Sequence, residues 1–239
     1  MEHETEHAAG CEFCVEMQDL EASRFRSIYG STLASRVVRE TAHFIVVPTI
    51  GQIVAGAMLV IPREHVETLA DVADHTDELL ELANECRQIF GENIVFEHGA
   101  RASTGSGCGV DHAHLHVVPM PVACTLRELL PAAPRVPSVA DALRGLKGAR
   151  EYLMVRDTRG DVSVLDLTNH DGREYPSQYF RRRVVEILKL DAHWDWRRYT
   201  APEENLLRAV EAYGNGDQCV NADQRARMRS RVVASNREA

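Results

Sequence analysis

The chain has 239 residues, enough for one large domain or for a compact domain carrying a long extension. Its 27 Lys and Arg face 36 Asp and Glu, a formal charge of −9, which argues against a general nucleic-acid coat because a phosphate backbone needs a basic footprint. No apolar run approaches the ~18 residues of a membrane span, the acidic Met1-Glu2-His3-Glu4 is no secretory signal, and six mostly scattered cysteines suggest a reduced, cytoplasmic protein.

Residues 1–10 read as a flexible acidic tail, followed by a helix over Val15–Tyr29. Arg36–Pro48 is rich in β-branched residues and predicts one or two strands; Ala57–Pro62 predicts a short buried strand that Pro62 ends. Within Glu64–Phe90, Leu79, Leu82, Ala83, Cys86, Ile89 and Phe90 recur at three- and four-residue steps, which predicts a long helix with one apolar face, stopped by Gly91. A strand over Ile94–Glu97, a glycine-rich loop over Gly99–Gly109 and a strand over Val110–Val118 follow. Pro131, Pro134 and Pro137 mark residues 131–138 as a linker. Beyond it, Glu151–Arg156 and Val162–Leu167 read as a hairpin, Ser177–Leu190 and Pro202–Tyr213 as helices, and the polar end from Asn221 as a fraying terminus.

The densest chemistry lies in His112-Ala113-His114-Leu115-His116. On a strand, residues i, i+2 and i+4 share a face, so three imidazoles ~7 Å apart line one side while Ala113, Leu115 and Val117 enter the core. Neutral imidazole is a nucleophile toward phosphorus and can pass protons near neutral pH. A His-x-His pair on a strand also suits zinc or iron, so the run by itself leaves a metal site open. Near the start, Cys11-Glu12-Phe13-Cys14 has the spacing with which two thiolates grip one zinc, two further ligands being required. A redox pair would sit after a strand at the start of a helix; here only ten polar residues precede it, which favours metal.

In combination these segments resemble the histidine-triad (HIT) superfamily. Gly107-Cys108-Gly109-Val110-Asp111-His112-Ala113-His114-Leu115-His116-Val117-Val118-Pro119 is similar to its His-φ-His-φ-His-φ-φ signature, with φ apolar. Gly56-Ala57-Met58-Leu59-Val60-Ile61-Pro62-Arg63-Glu64-His65 is similar to its strand leading into an Ile-Pro-Lys-x-His element. The resemblance spans about residues 11–122. It implies that His114 is the nucleophile of a nucleotidyl–histidine intermediate and that His116 binds the phosphate and helps the leaving group depart. Ser103, Thr104, Gly105, Ser106 and Gly107 would hold phosphate oxygens, as glycine-rich loops do. It further implies a structural zinc on Cys11, Cys14, His65 and His112, as in the zinc-containing members. Glu97-His98-Gly99 stands where many members have Asn-x-Gly, which makes His98 a substrate-binding candidate, and Cys108 stands where they have Gln. No counterpart of the family's ribose-binding carboxylate is visible at Val46–Thr49. Histidine rather than Gln at position 116 resembles the hydrolase and phosphoramidase branches, with water as acceptor.

The expected architecture is an α+β HIT-like fold, a mainly antiparallel sheet with a long helix packed on it, formed by residues 11–124. Residues 125–239 would be an α+β extension packing on the same sheet. Pro176-Ser177-Gln178-Tyr179-Phe180-Arg181-Arg182-Arg183 places arginines at a helix start, where the dipole disfavours them, so Gln178 and Arg181 are candidates for binding an anionic substrate. Trp194 and Trp196 read as packing residues. The resemblance implies a homodimer acting on a small nucleotide conjugate, a dinucleoside polyphosphate or a nucleoside phosphoramidate. A nucleotidyltransferase passing the group to phosphate or a sugar phosphate is the second reading, and a non-catalytic nucleotide-binding module the third.

Overall fold

The computed structural model describes residues 10–102, 109–169, 174–190 and 194–215. The acidic tail up to residue 9, the phosphate-loop candidates 103–107 and the polar end from Asn221 lie outside these residues. The β-branched runs form strands covered on both faces: every residue of β2 (Phe44–Pro48), β3 (Met58–Pro62) and β5 (Leu115–Pro119) is buried. With β1 (Arg39–Glu40), β4 (Asn93–Ala100), β6 (Arg135–Val136), β7 (Glu151–Arg156) and β8 (Val162–Asp166) they make one eight-stranded sheet in the order β1-β2-β3-β5-β4-β7-β8-β6. Every pairing among the described residues is antiparallel. The chain is α+β, as the sequence predicts.

Against one face, Leu79, Leu82, Ala83 and Cys86 of the long helix pack on Val46, Val60, Val95, Leu115 and Val117. The opposite face is shared. Cys11, Phe13 and Cys14 cover Ile45, Val47, Leu59 and Ile61, whereas Phe180 and Val184 cover Ile94, Phe96, Leu153 and Val155. The histidine run lies where these two covers meet.

Several predicted elements are redrawn by local polar bonds. In place of one helix over Val15–Tyr29 stand α1 (Glu12–Gln18), a 3-10 turn at Leu20–Ala22 and α2 (Arg24–Tyr29). The Asp19 and Ser23 side chains accept the backbone N–H groups of Ala22 and Arg26, and such local caps compete with a continuous helix. The helix expected over Glu64–Phe90 begins only at Thr76 (α3, Thr76–Phe90), preceded by a kinked 3-10 stretch at Leu69–His75 that Thr68 and Asp71 cap. His65 therefore sits on irregular chain. The strand expected over Val110–Val118 starts at Leu115, because Ala113 gives its N–H to the Val66 carbonyl at 2.7 Å rather than to a sheet neighbour. The supposed linker 131–138 holds β6, which pairs with Val162 and Ser163 of β8; Pro134 and Pro137 flank it, and an edge strand tolerates proline. Then come α4 (Leu126–Leu129), α5 (Val139–Gly145), α6 (Tyr179–Leu188) and α7 over residues 203–215.

β7 joins β4 across six residue pairs, from Val95↔Arg156 to Ala100↔Glu151. Gly99 lies beneath Tyr152, whose ring would meet an added Cβ at 2.4 Å. Glu97, two residues earlier on the same face, is buried and accepts the Leu69 N–H at 2.8 Å and the Tyr152 hydroxyl. Burial pushes its carboxyl up to about 8 from 4.5, against the pull of those two bonds. The folded state thus prefers the protonated acid. The stability this contributes is complete below about pH 4.5 and is lost as pH rises through about 8, at up to about 1.4 kcal/mol per pH unit. Urea titrations at pH 5, 6.5 and 8 should show that decline in the wild type and a flatter profile in Glu97→Gln. Equal slopes in both proteins would contradict the assignment.

Candidate active site and metal centre

The first turn of α1 puts Cys11 and Cys14, three residues apart, on one side, facing the chain between β3 and β5. Cys11 Sγ lies 3.4 Å from His112 Nδ1, Cys14 Sγ 3.5 Å from the same atom and 3.3 Å from His65 Nδ1. A tetrahedral zinc with Zn–S of about 2.3 Å and Zn–N of about 2.0–2.1 Å would hold S and N about 3.5 Å apart, so this Cys2His2 set fits that ion. His112 Nε2 is 2.8 Å from the Pro62 carbonyl. A carbonyl only accepts, so Nε2 carries the proton and Nδ1 presents its lone pair to the sulfurs, the usual arrangement behind a metal ligand. Burial, followed by the nearby Cys11 sulfur, pushes the Cys14 thiol up to about 12; a bound cation would reverse that cost. Burial likewise takes His112 down to about 4, and neutral imidazole is the form a metal binds.

Phe13 connects this cluster to the next histidine. Its ring stands edge-on to His112 at 5.8 Å and to His114 at 5.4 Å. His114 is only 7% exposed and its Nδ1 lies 2.7 Å from the His112 carbonyl oxygen. That bond requires an Nδ1–H donor and leaves Nε2 as the lone pair of the ring. His116 meets His114 edge-on at 4.9 Å and stacks on Phe96 at 4.5 Å. Burial first, and then the positive Arg181, hold His114 down at about 4. Burial, His114 and Arg181 hold His116 well below the ordinary histidine range. Both rings are neutral at pH 7.

His114 and His116 line a narrow cavity of about 30 Å³, with Phe25, Ile50, Leu59 and Trp196 as apolar walls. Its charged groups are Glu12 and Glu16 of α1, Arg24, Arg36 and Arg181. Arg36 forks onto the Glu16 carboxylate with two bonds of 2.7 Å. Glu12 faces Arg24 at 3.6 Å, and burial raises its carboxyl above the usual range.

The structure thus brings Cys11, Cys14, His65 and His112 into one cluster and His114, His116 and Arg181 to one cavity. Gln178 is not among the residues lining that cavity; it binds Asp195 through Nε2 at 3.1 Å. His98 is not among them either. It is buried with Nε2 2.8 Å from Glu151 Oε1, and its Nδ1 has no partner among the described residues. Ser103, Thr104, Gly105, Ser106 and Gly107 lie outside the described residues. The sequence reading missed Glu12, Glu16, Arg24, Phe25 and Arg36, and took Trp196 for packing alone. The only local signal was the placing of Glu12 and Glu16 one turn apart beside the cysteine pair.

A family model described as the HIT domain matches residues 31–121. No curated protein matches the sequence. Among solved structures, the chain is similar to a HIT family hydrolase from Clostridium thermocellum, with 18% identity over 49% of this chain and 96% of that one and a TM-score of 0.37. A Zn-bound histidine triad family protein from Mycobacterium smegmatis shows 21% identity over 59% and 92%, with a TM-score of 0.35. A hypothetical protein from Leishmania major shows 24% identity over 48% and 76%, also with a TM-score of 0.35.

Proposed function

Residues 31–121 of this chain are a HIT domain, and from that premise we propose that the protein is a nucleotide-conjugate hydrolase whose nucleophile is His114. One observation carries the reading: the Nδ1–H of His114 is spent on the His112 carbonyl, which leaves Nε2 unprotonated on a ring that lines the cavity. Nε2 attacks the α-phosphorus of a dinucleoside polyphosphate or nucleoside phosphoramidate. The bond from phosphorus to the leaving oxygen or nitrogen breaks, and the leaving group takes a proton relayed through His116, which the proton shed by the attacking water later restores. Water then attacks the nucleotidyl–histidine, the P–N bond breaks, and a nucleoside monophosphate leaves a neutral His114. His116 donates an N–H toward the phosphoryl group and assists departure, and Arg181 offsets negative charge growing on phosphorus. Ser103, Thr104, Gly105, Ser106 and Gly107 belong to this reading as phosphate ligands, and Glu12 as the carboxylate for the sugar.

Zinc on Cys11, Cys14, His65 and His112 would supply a cross-link and no acid chemistry, tying the N-terminal segment beside the catalytic ring. Residues 11–124 are read as the HIT domain and 125–239 as an extension built onto its sheet through β7. A homodimer in the cytoplasm is part of the same proposal; no described helix is long and apolar enough to cross a membrane.

The histidine at position 116 favours water over phosphate as acceptor. Incubating the protein with a labelled dinucleoside polyphosphate in ¹⁸O-water plus inorganic phosphate and a sugar phosphate separates the readings. The expected product is a nucleoside monophosphate carrying ¹⁸O. A nucleoside diphosphate or nucleotide sugar would replace hydrolase by transferase, and nucleotide binding without turnover would favour the binding module.

A further inference from the structure

Two glycines flank the His114 cavity, Gly51 in the turn after β2 and Gly109 ahead of the histidine run. The stretch 194–197 lies directly on both. A Cβ added to Gly51 would stand 2.3 Å from Trp196 Cβ, and one added to Gly109 would stand 1.8 Å from Arg197 Nη2. Such approach is available only where the underlying residue has no side chain.

Hydrogen bonds tie this stretch down from several elements. Arg181 gives Nε–H to the Trp194 carbonyl and Nη2–H to the Gly51 carbonyl, both at 2.7 Å. Gln178, at a left-handed φ of 60°, donates to Asp195 and accepts the Trp196 N–H. Arg24 donates to the Arg197 carbonyl and Arg197 to the Gly109 carbonyl, each at 3.0 Å. At the far end the Ala201 N–H reaches the Ile50 carbonyl at 2.7 Å.

The apolar anchorage of the stretch rests on two side chains, Trp196 and Ala201, which pack in the cluster of Phe25, Tyr29 and Ile50. Of residues 194–201 only Trp196 and Ala201 are buried, and 197–200 are exposed. A segment seated by so few buried side chains opens at lower cost than the core strands. Beneath it the cavity of about 30 Å³ has room for a couple of waters at roughly 10–15 Å³ each, whereas small-molecule sites run to roughly 300–1,000 Å³. Among the described residues, a seated Trp196 leaves no space of nucleotide size beside His114.

We infer that residues 194–201 are a removable strap over His114 and that Trp196, its buried wedge, determines which groups reach that ring. The inference rests on the reading of His114 as the reactive residue. A substrate lifts Trp196 off Gly51. The same movement releases the Arg181 donors from the Trp194 and Gly51 carbonyls, so the latch becomes available to a phosphate as the site opens. Small reagents enter through brief openings; bulky conjugates must hold the strap away.

The test needs no turnover. Diethyl pyrocarbonate acylates accessible neutral histidines, and peptide mass spectrometry follows His114 against His43, whose side chain is 45% exposed. In wild type His114 should react far more slowly than His43. Trp196→Ala should speed His114 about tenfold or more with His43 unchanged, as expected when the open form is a minor population of about 10% or less. Arg197→Ala, an exposed change that spares the fold, should give a smaller rise in the same direction. An unchanged His114 rate in both variants overturns the strap. Acceleration in variants that neither bind nor cleave any nucleotide conjugate would leave the strap standing and remove the hydrolase reading. A second readout uses Trp194→Phe, which leaves Trp196 as the sole tryptophan. Saturating adenosine monophosphate should increase its quenching by acrylamide; stronger shielding instead would make Trp196 a stacking platform and overturn the displacement.

Discussion

His114→Ala should lower kcat by at least ~10⁴-fold, the scale reached when a covalent nucleophile is removed, while leaving thermal stability and zinc content close to wild type. The ring is held by the segment just ahead of β5 through the His112 carbonyl and contributes nothing to the metal cluster, so its loss is a chemical deletion in an otherwise intact site. Rapid alkaline quench with mass spectrometry should find a nucleotidyl adduct on the wild-type peptide containing residues 112–116 and none in the variant. His98→Ala is the control: its ring pairs with Glu151 and is not among those lining the cavity, so an effect below about tenfold is expected if binding contacts alone are disturbed. A larger loss in His98→Ala than in His114→Ala would reverse the two roles.

Removing the metal should act first on the N-terminal segment. Cys14→Ser, or a strong chelator, should release one zinc per chain and lower Tm by roughly 10 °C, as losing about 3–5 kcal/mol does in a chain of this size. The sheet itself is expected to survive. Buried thiols pack as small hydrophobes, and burial already holds the Cys14 thiol in its protonated form. Turnover should fall as well, because α1 and α2 contribute Glu12, Glu16 and Phe25 to the cavity. Calorimetry and metal analysis of Cys14→Ser and His65→Ala check this; retention of one zinc per chain in both would refute the ligand set.

Local pattern was enough to group the histidines and to pair the cysteines. Strict alternation put Ala113, Leu115 and Val117 into the core and the three histidines on the other face, and the cysteine spacing gave half of a cluster that folding completes with His65 and His112. The cavity walls were not legible in this way. Trp196 reaches Gly51 from 145 residues away, and nothing in either segment encodes their contact. The three arginines at the start of α6 suggested an anion, yet they bond to protein: Arg181 to two carbonyls, Arg182 against the Trp194 ring at 3.3 Å, and Arg183 to the Glu128 carbonyl. Charge at a helix start flags an unmet electrostatic need, but a backbone carbonyl meets it as well as a phosphate does. The prolines around Arg135–Val136 misled for a related reason. They exclude a central strand and permit an edge, and only the partner strand distinguishes an edge from a linker.

Both rims of the eight-stranded sheet are two residues long. Arg39–Glu40 closes one side and Arg135–Val136 the other, and each carries charge. Strands so short give an incoming chain little ladder to extend. Among the described residues, the two rims therefore offer a second copy little backbone to extend into a shared sheet. Growth of the sheet by edge-to-edge pairing is thereby blunted at both borders.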